Sequence, residues 1–207
     1  MQIPLAVSKA PAASRPTSMS FQLRCHGPDD ASRTAVQNFV ARIYARHFDA
    51  RITAWAPTLV SLERDGEILA AAGYRSGAHV LFLERYLGQP VENAIASRCG
   101  AIVAREQIVE IGHLASSRAG ISRHLMRELA EHLQQLGFRW AAITATRELR
   151  VIFKRLRVHS IALAPAMPSA LGTRAAALWG RYYAHAPQVI AGDLERNVER
   201  LRAAVDR

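Results

Sequence analysis

Hydrophobic positions in the first third of the chain recur with two different periods. Between residues 36 and 48 they return every three or four residues, which is the spacing of one face of an α-helix. Thr58–Leu62 and Glu67–Tyr74 are instead apolar or alternating runs, separated by Arg64-Asp65-Gly66. The first pattern predicts a helix that ends near Phe48. Because Asp-Gly between two such runs is a strong hairpin signal, the second pattern predicts a β-hairpin.

Helix and strand patterns alternate through the rest of the chain. The clearest helix is Gly120–Leu136, where leucines form one stripe and Gly137 follows as a C-terminal cap. Weaker apolar runs at His79–Leu83 and Ala101–Val103 are interpreted as short strands. Further strands are predicted at Phe21–His26, Arg105–Ser117, Phe138–Thr144, Val158–Leu163 and Gln188–Ile190, and further helices at Val91–Ser97, Glu148–Arg157 and 193–207. This order predicts an α/β (α+β) fold with a mixed sheet flanked by helices.

The positive charge of the chain comes almost entirely from arginine. Of its 27 basic residues only Lys9 and Lys154 are lysines, and the formal net charge is +10. Guanidinium groups bind phosphate and carboxylate through paired hydrogen bonds. Nucleic acid, anionic lipid, an acidic carrier protein and a phosphorylated cofactor are therefore the partners that the charge allows. An arginine-rich, solvated surface explains the same excess.

The pattern also excludes several classes of protein. The longest uncharged stretch, between Arg157 and Arg174, is too short and too broken by proline to span a bilayer, so we predict no integral membrane segment. Cys25 and Cys99 form no disulfide framework, and no apolar core of signal-peptide length is present, so we expect a cytoplasmic protein. We predict that residues 1–19 are a disordered tail and that residues 20–207 form a single domain.

The most informative segment is the predicted strand Arg105–Ser117. Strict alternation would place Glu110 and His113 on opposite faces of the sheet. Gly112 lies between them, however, and glycine within a strand often marks a bulge, which would turn both side chains into one cleft. Either could then remove a proton from an attacking amine. The competing interpretation is structural: Glu110 pairs with an arginine, and His113 is a hydrogen-bonded, half-buried imidazole.

Two further patterns occur at the start of the following helix. Small residues at Ser116–Ser122 precede a helix N-terminus, whose unpaired N–H groups suit a phosphate. His124, Glu128 and His132 recur every four residues, which suits either a metal or a solvated polar face; we predict no metal site. No alternation of basic and aromatic residues indicates nucleic-acid binding.

Six blocks of sequence resemble one known family. They are Tyr86–Glu92, Ile108–Ser116, Gly137–Trp140, Thr144–Thr146, Leu149-Arg150 with Phe153 and Leu156, and Trp179–Tyr183. In their order and spacing, over roughly residues 55–195, they resemble the thermostable hemolysin family. That family in turn resembles the GNAT acyltransferases and the acyl-homoserine-lactone (autoinducer) synthases. The resemblance implies a GNAT-like sheet that is splayed at its centre.

The resemblance also implies a role for each part of the site. Glu110 and His113 would be the catalytic residues, and Arg105, Thr144 and Thr146 would bind the acceptor substrate. The co-substrate would be acyl-CoA or the 4′-phosphopantetheine of an acyl carrier protein. Its binding residues would be Leu114, Ala115, Ser116, Arg118, Gly120, Ile121, Ser122, Arg123 and Phe153.

Several residues depart from the pattern of these relatives. Ser117 and Ser122 replace the arginine or glutamine and the last small residue of the usual GNAT phosphate loop, which leaves a carrier protein open as the donor. His113 stands where related sequences usually carry Asn, and Val151 and Arg157 replace Asn and Gly. We therefore expect the substrate to differ from that of close relatives.

These observations lead to three functional hypotheses. The first is an N-acyltransferase that joins an acyl thioester to the amine of a small molecule, with Glu110 or His113 as the base. The alternative is a membrane-lytic protein, acting directly or through an acylated amphiphilic product. The third is a domain that binds an acyl carrier without catalysis. The sequence indicates neither the acceptor nor the acyl length nor the oligomeric state.

Overall fold

The computed structural model describes residues 21–118 and 120–205, which form one seven-stranded sheet and seven α-helices. The strands are β1 (Gln22–His26), β2 (Thr58–Arg64), β3 (Glu67–Ser76), β4 (Ile108–Ser116), β5 (Trp140–Ala145), β6 (Ile161–Pro165) and β7 (Gln188–Asp193). The helices are α1 (Arg33–Phe48), α2 (Glu84–Leu87), α3 (Val91–Cys99), α4 (Ile121–Gln135), α5 (Arg147–Arg155), α6 (Thr173–Ala177) and α7 (Leu194–Val205). The predicted tail, residues 1–19, lies outside the described residues.

The strands are ordered β1-β2-β3-β4-β5-β7-β6 across the sheet. β1 to β4 form an antiparallel meander, β4 and β5 are parallel, and β7 runs antiparallel to both of its neighbours. The parallel pair needs a crossover connection, which contains α4. The predicted mixed sheet flanked by helices is therefore confirmed. The hairpin between β2 and β3 is confirmed as well, because Asp65 and Gly66 both have the positive φ of a two-residue turn.

Helices cover both faces of the sheet. On one face, Phe39 of α1 is buried together with Leu59 of β2. On the other face, α4 and α7 form a separate core with β2 and β3, in which Leu125, Leu129 and Leu133 are buried. These are three leucines of the predicted stripe; the fourth lies beyond the end of α4 and is exposed. The sheet thus separates two hydrophobic cores.

Two predicted strands are not strands in the described chain. His79–Leu83 forms turns, and Ala101–Val103 belongs to a loop. The reason is that β3 is already hydrogen-bonded on both sides, to β2 and β4, so a further strand of the meander has no free edge there. Leu81 and Leu83 are buried instead against α3 and the start of β4. The segment His79–Leu83 is therefore apolar because its leucines are buried in the hydrophobic core, although it is not part of the sheet.

The sheet opens between β4 and β5. The two strands are paired from Ile108 and Trp140 to Ile111 and Ile143. Beyond that point they separate, while β4 continues to Ser116 along β3. The predicted central splay is therefore confirmed, and one side of β4 is left without a neighbouring strand.

β4 also contains the predicted bulge. Gly112 pairs with Gly73 and Ala115 pairs with Ala71, so β4 has one residue more than β3 between the two pairs. The unusual backbone is at His113, which has a φ of +55°, and not at Gly112. The bulge thus lies one residue later than the glycine that predicted it.

Candidate active site

A cavity of roughly 390 Å³ lies where β4 and β5 separate, on the face of the sheet that carries α1. Because the bulge changes the alternation of β4, Glu110 and His113 both line this cavity, and Thr144 of β5 lines it as well. Its other walls come from Tyr44 of α1, Arg75 of β3 and three segments, residues 51–56, 82–86 and 171–182. The fold thus brings three predicted site residues together around a cavity that suits a small molecule.

The carboxylate of Glu110 is held by the turn that precedes α2. Its Oε2 accepts a hydrogen bond from the N–H of Phe82 at 2.7 Å, and its Oε1 accepts one from the N–H of Leu83 at 3.0 Å. Burial raises the pKa of Glu110, and the two N–H donors and the charge of Arg75 oppose that rise. No arginine forms an ion pair with it among the described residues. The orientation of the Glu110 carboxylate is therefore fixed, and each of its oxygens keeps a lone pair for a further hydrogen-bond donor.

His113 is packed between the cavity wall and β3. Its Nε2 lies 3.2 Å from the carbonyl oxygen of Ala54, and its ring stacks on Trp55 with centroids 5.0 Å apart. Its Nδ1 is buried and has no hydrogen-bond partner among the described residues. Burial lowers the pKa of His113 to about 4, so the ring is neutral at neutral pH. These contacts fit the competing, structural interpretation of His113 as a hydrogen-bonded imidazole, while the ring also lines the cavity.

The low pKa of His113 has a consequence for stability. The unfolded chain binds a proton at this residue between about pH 6.5 and pH 4, whereas the folded protein does not, so the free energy of unfolding falls as the pH drops through this window. Between pH 7 and pH 4.5, the free energy of unfolding of the His113→Asn variant should fall by about 2 kcal/mol less than that of the wild-type protein. Asparagine also tolerates the positive φ. Urea unfolding of both proteins at the two pH values measures the difference, and an identical pH dependence would contradict the prediction.

Aromatic side chains form much of the remaining wall. They are Tyr44, Trp55, Phe82, Tyr86, Trp179 and Tyr182. The hydroxyl of Tyr182 donates to the carbonyl oxygen of Thr144 at 3.0 Å, and the hydroxyls of Tyr86 and Tyr183 are 2.7 Å apart. None of these aromatic residues was among the predicted site residues. The dense aromatic block Trp179–Tyr183 was the one signal in the sequence that could have indicated them.

Three arginines also line the cavity and were not predicted: Arg51, Arg75 and Arg85. Arg75 is half-buried, and its Nη1 donates to the carbonyl oxygen of Val80 at 3.2 Å. Arg51 and Arg85 are exposed, and the guanidinium of Arg85 lies 4.8 Å from the ring centre of Phe82. None of the three forms an ion pair within the part of the chain that the structure describes. The cavity is therefore both aromatic and positively charged.

A second pocket, of about 80 Å³, lies on the opposite face of the separated strands, against α4. Its lining is almost entirely apolar and includes Leu114 and Phe153, two residues predicted to bind the co-substrate, together with Met126 and Leu129. Ile111 lines both this pocket and the larger cavity. The two cavities therefore lie on either side of Ile111, close to the point where the sheet opens.

The N-terminus of α4 follows the end of β4. Gly120 has a φ of +89°, and no side chain caps the first turn among the described residues. The hydroxyl of Ser116 donates to the carbonyl oxygen of Arg118 at 2.8 Å, which ties the end of the strand to this turn. The side chain of Arg118 is exposed. The first turn itself consists of Ile121, Ser122 and Arg123. The predicted phosphate-binding residues are therefore adjacent to one another and accessible.

Three predicted site residues have structural partners instead. The guanidinium of Arg105 bonds both carboxylate oxygens of Glu84, at 2.6 and 3.0 Å, and one of Glu92 at 2.7 Å. It does not line the cavity, so its donors hold the loop in place and do not face a substrate. The hydroxyl of Thr146 caps the N-terminus of α5, and Ala115 is buried in the core beneath α1. None of these three residues lines either cavity, and their expected roles in substrate and co-substrate binding stay predictions.

The histidines of α4 do not converge on a metal site. Nε2 of His132 lies 3.4 Å from Sγ of Cys25 and 3.3 Å from the hydroxyl of Tyr74. Across residues 21–118 and 120–205, no group of three histidine, cysteine, aspartate or glutamate side chains is placed to hold a metal ion. In the same ranges no helix is long and apolar enough to cross a membrane.

Several solved synthase structures share this architecture at low sequence identity. The CoA-dependent acyl-homoserine lactone synthase BjaI, bound to SAM and isopentyl-CoA, is 11% identical, with a TM-score of 0.62 and 90% of each chain covered. TofI, in a ternary complex with an inhibitor and MTA, is 16% identical, with a TM-score of 0.58 over 89% of this chain and 96% of that one. FeeM, an N-acyl amino acid synthase from uncultured soil microbes, is 14% identical, with a TM-score of 0.56 over 89% and 94%.

The splayed sheet, the bulged β4 and the helix that follows it, together with these likenesses, define the GNAT-like fold of acyl-transferring synthases. The predicted GNAT-like sheet is therefore confirmed. By sequence, the chain belongs to the thermostable hemolysin family, whose model matches residues 26–198. This confirms the resemblance seen in the sequence. None of the curated protein sequences matches the chain.

Proposed function

We propose that the protein is an N-acyltransferase that moves an acyl group from an acyl thioester to the amine of a small molecule. The observation that carries this proposal is the position of Glu110. Its carboxylate is fixed at the opening between β4 and β5, with an aromatic cavity on its own face of the sheet and an apolar pocket on the other. A thioester in the opening would have room for the acceptor on one side and for the acyl group on the other.

The donor would bind along the unpaired side of β4. Beyond Ile111 this strand has no partner on β5, so its backbone groups are available to the amides of a pantetheine arm. A phosphate would then lie at the first turn of α4, where uncapped N–H groups and the helix dipole favour an anion. Arg118 and Arg123 flank this turn and suit coenzyme A phosphates or the acidic surface of a carrier protein. The isopentyl-CoA bound to BjaI supports a thioester donor.

The acyl group would enter the apolar pocket. Leu114 lines this pocket at the end of β4, and Phe153, Met126 and Leu129 line the rest of it. Because Ile111 lines both the pocket and the larger cavity, an acyl chain placed in the pocket would have its carbonyl carbon near the opening of the sheet. Burial of the chain contributes roughly 0.8 kcal/mol of binding free energy per methylene.

The residues of β4 have different roles in the proposed acyl transfer. The amine nitrogen attacks the thioester carbonyl carbon, and backbone N–H groups at the bulge stabilise the oxyanion that forms. The proton of the amine passes to Glu110, directly or through one water, as the C–N bond forms. The C–S bond then breaks, and the thiolate leaves and takes up a proton. His113 has a pKa of about 4 and is a weak base at neutral pH, so we assign it to positioning and Glu110 to proton removal.

The test is an assay of the purified protein with panels of acyl-CoA and acyl-carrier-protein donors and a pool of amines. Free thiol is measured colorimetrically, and new amides are identified by mass spectrometry. We expect thiol and N-acyl product to appear in equal amounts, and only when an amine is present. Thiol release without an amide would make the protein a thioesterase, and a stable complex without turnover would make it a binding domain.

The same reagents test the lytic alternative. We expect red blood cells to remain intact with the protein alone and to lyse, if at all, only after the donor and the acceptor have been converted to an acylated amphiphile. Lysis by the protein without any acyl donor would overturn the proposed function.

A further inference from the structure

We propose that the amine acceptor is an α-amino acid with an apolar side chain, and that Arg75 binds its carboxylate. This inference rests on the proposed N-acyl transfer and specifies the second substrate of that reaction. It depends on the charge of the larger cavity, on the position of Arg75 relative to Glu110, and on the aromatic wall.

The cavity carries more positive charge than the protein neutralises, because three arginines face the single carboxylate of Glu110 among its described lining residues. Arg51, Arg75 and Arg85 line it without an ion pair among the described residues, whereas Glu110 is the one carboxylate in its described lining. Both oxygens of Glu110 already accept backbone hydrogen bonds. His113 adds no positive charge at neutral pH. A half-buried guanidinium without a counter-ion favours an anionic ligand, and its planar fork matches a carboxylate.

Arg75 is placed to hold that carboxylate beside the base. It lies directly across from Glu110 in the register of β3 and β4. Its Nη1 bonds the carbonyl oxygen of Val80, and no other hydrogen-bond partner of the guanidinium lies among the described residues. In an α-amino acid the amine and the carboxylate are attached to the same carbon. A carboxylate bound by Arg75 therefore keeps the amine next to Glu110, which is where the proton must be removed.

The remaining walls indicate the type of side chain. Trp55, Phe82 and Trp179 offer flat apolar surfaces next to the charged groups. The volume of roughly 390 Å³ is near the lower end of the range of about 300–1,000 Å³ for small-molecule sites. An amino acid with an apolar side chain meets both conditions. A cationic acceptor such as a polyamine would instead face three guanidinium groups.

A set of matched acceptors tests the carboxylate. Phenylalanine, phenylalaninamide and 2-phenylethylamine share the ring and the amine, and only phenylalanine carries a carboxylate. With one acyl donor, we expect kcat/KM for phenylalanine to exceed that of either analogue at least about 10-fold. Acylation of an uncharged or cationic analogue, or of SAM, as efficiently as phenylalanine would overturn the inference and leave N-acyl transfer in place. Acylation of no amine at all would instead overturn the proposed function.

A variant then assigns the carboxylate to Arg75. Arg75→Gln should raise the KM for phenylalanine about 10–100-fold and change the KM for 2-phenylethylamine less than about 3-fold. Arg98→Gln, in the exposed last turn of α3, is the matched control and should change neither value. If Arg75→Gln fails to fold, Arg51→Gln, at an exposed position of the cavity, takes its place. It should also raise the KM for phenylalanine more than the KM for 2-phenylethylamine, but by a smaller factor. An equal loss for both acceptors would overturn the role in carboxylate binding.

Discussion

Replacing Glu110 with glutamine should lower the kcat of acyl transfer by about 10²–10⁴-fold, which is the usual contribution of a positioned general base. The amide keeps the shape of the side chain, but it cannot take the proton that the attacking amine loses. Since burial raises the pKa of Glu110, the rate of the wild-type protein should rise with pH through that pKa, and the variant should lose this rise. Steady-state kinetics over a pH series measure both effects.

The control for this variant is in the same loop. Glutamine offers one acceptor oxygen where Glu110 offers two, so one backbone N–H loses its partner and the free energy of unfolding should fall by about 1–3 kcal/mol. Glu84 accepts backbone hydrogen bonds from Leu81 and Val91 but does not line the cavity. Glu84→Gln should therefore lose stability while the folded protein keeps its turnover. If the two variants turn over equally fast, Glu110 takes no part in the chemical step.

The pattern along β4 was sufficient to predict the centre of the site. Gly112 indicated a bulge, and the bulge is what turns Glu110 and His113 into one cavity. The displacement by one residue has a physical cause. Gly112 remains in the strand register, and the next residue adopts the positive φ that the extra residue requires. Histidine is one of the non-glycine residues that adopt a positive φ more often than most, so His113 can take this backbone conformation without a glycine at its own position.

Arg105 shows what a local pattern cannot provide. An arginine at the start of a strand is compatible with a substrate carboxylate and equally with an ion pair inside the protein. Its partners, Glu84 and Glu92, lie 21 and 13 residues earlier in the chain. Only the folded loop between β3 and β4 brings these carboxylates to it. The same loop explains why His79–Leu83, although apolar, is not a strand.

The two sides of the site therefore differ in how well the sequence predicts them. The part of the donor side that would hold the pantetheine arm and the phosphate comes from one continuous segment, residues 108–123, whose strand, bulge and helix start can be recognised from local pattern. The acceptor side comes from parts of the chain that lie far apart: Arg75 of β3 and three segments, residues 51–56, 82–86 and 171–182. From the sequence, their aromatic residues are expected in the hydrophobic core and their arginines on the solvated surface. Only the fold shows that both line one cavity. The charge that points to the acceptor was therefore not visible in the sequence.

Replacing Gly180 with alanine should lower the free energy of unfolding by about 2–4 kcal/mol, through overpacking and the cost of a left-handed backbone. Gly180 has a φ of +50°, and an added Cβ would overlap the carbonyl oxygens of Phe48 and Asp49 at the end of α1. The backbone cannot move away freely, because the N–H of Arg181 donates to the carbonyl oxygen of Phe48 at 2.6 Å. Urea denaturation of the variant and the wild-type protein measures the loss.

Gly88→Ala is the matched control for this effect. Gly88 has a φ of +64°, and no atom lies within 4 Å of an added Cβ, so this variant should lose only about 1 kcal/mol from the backbone preference. The difference between the two variants measures the overlap at α1. Trp179 and Tyr182, on either side of Gly180, line the acceptor cavity, so Gly180→Ala should also raise the KM for the amine, whereas Gly88→Ala should not. Equal losses of stability in the two variants would show that this segment is not packed tightly on α1, and that the aromatic wall is positioned by other contacts.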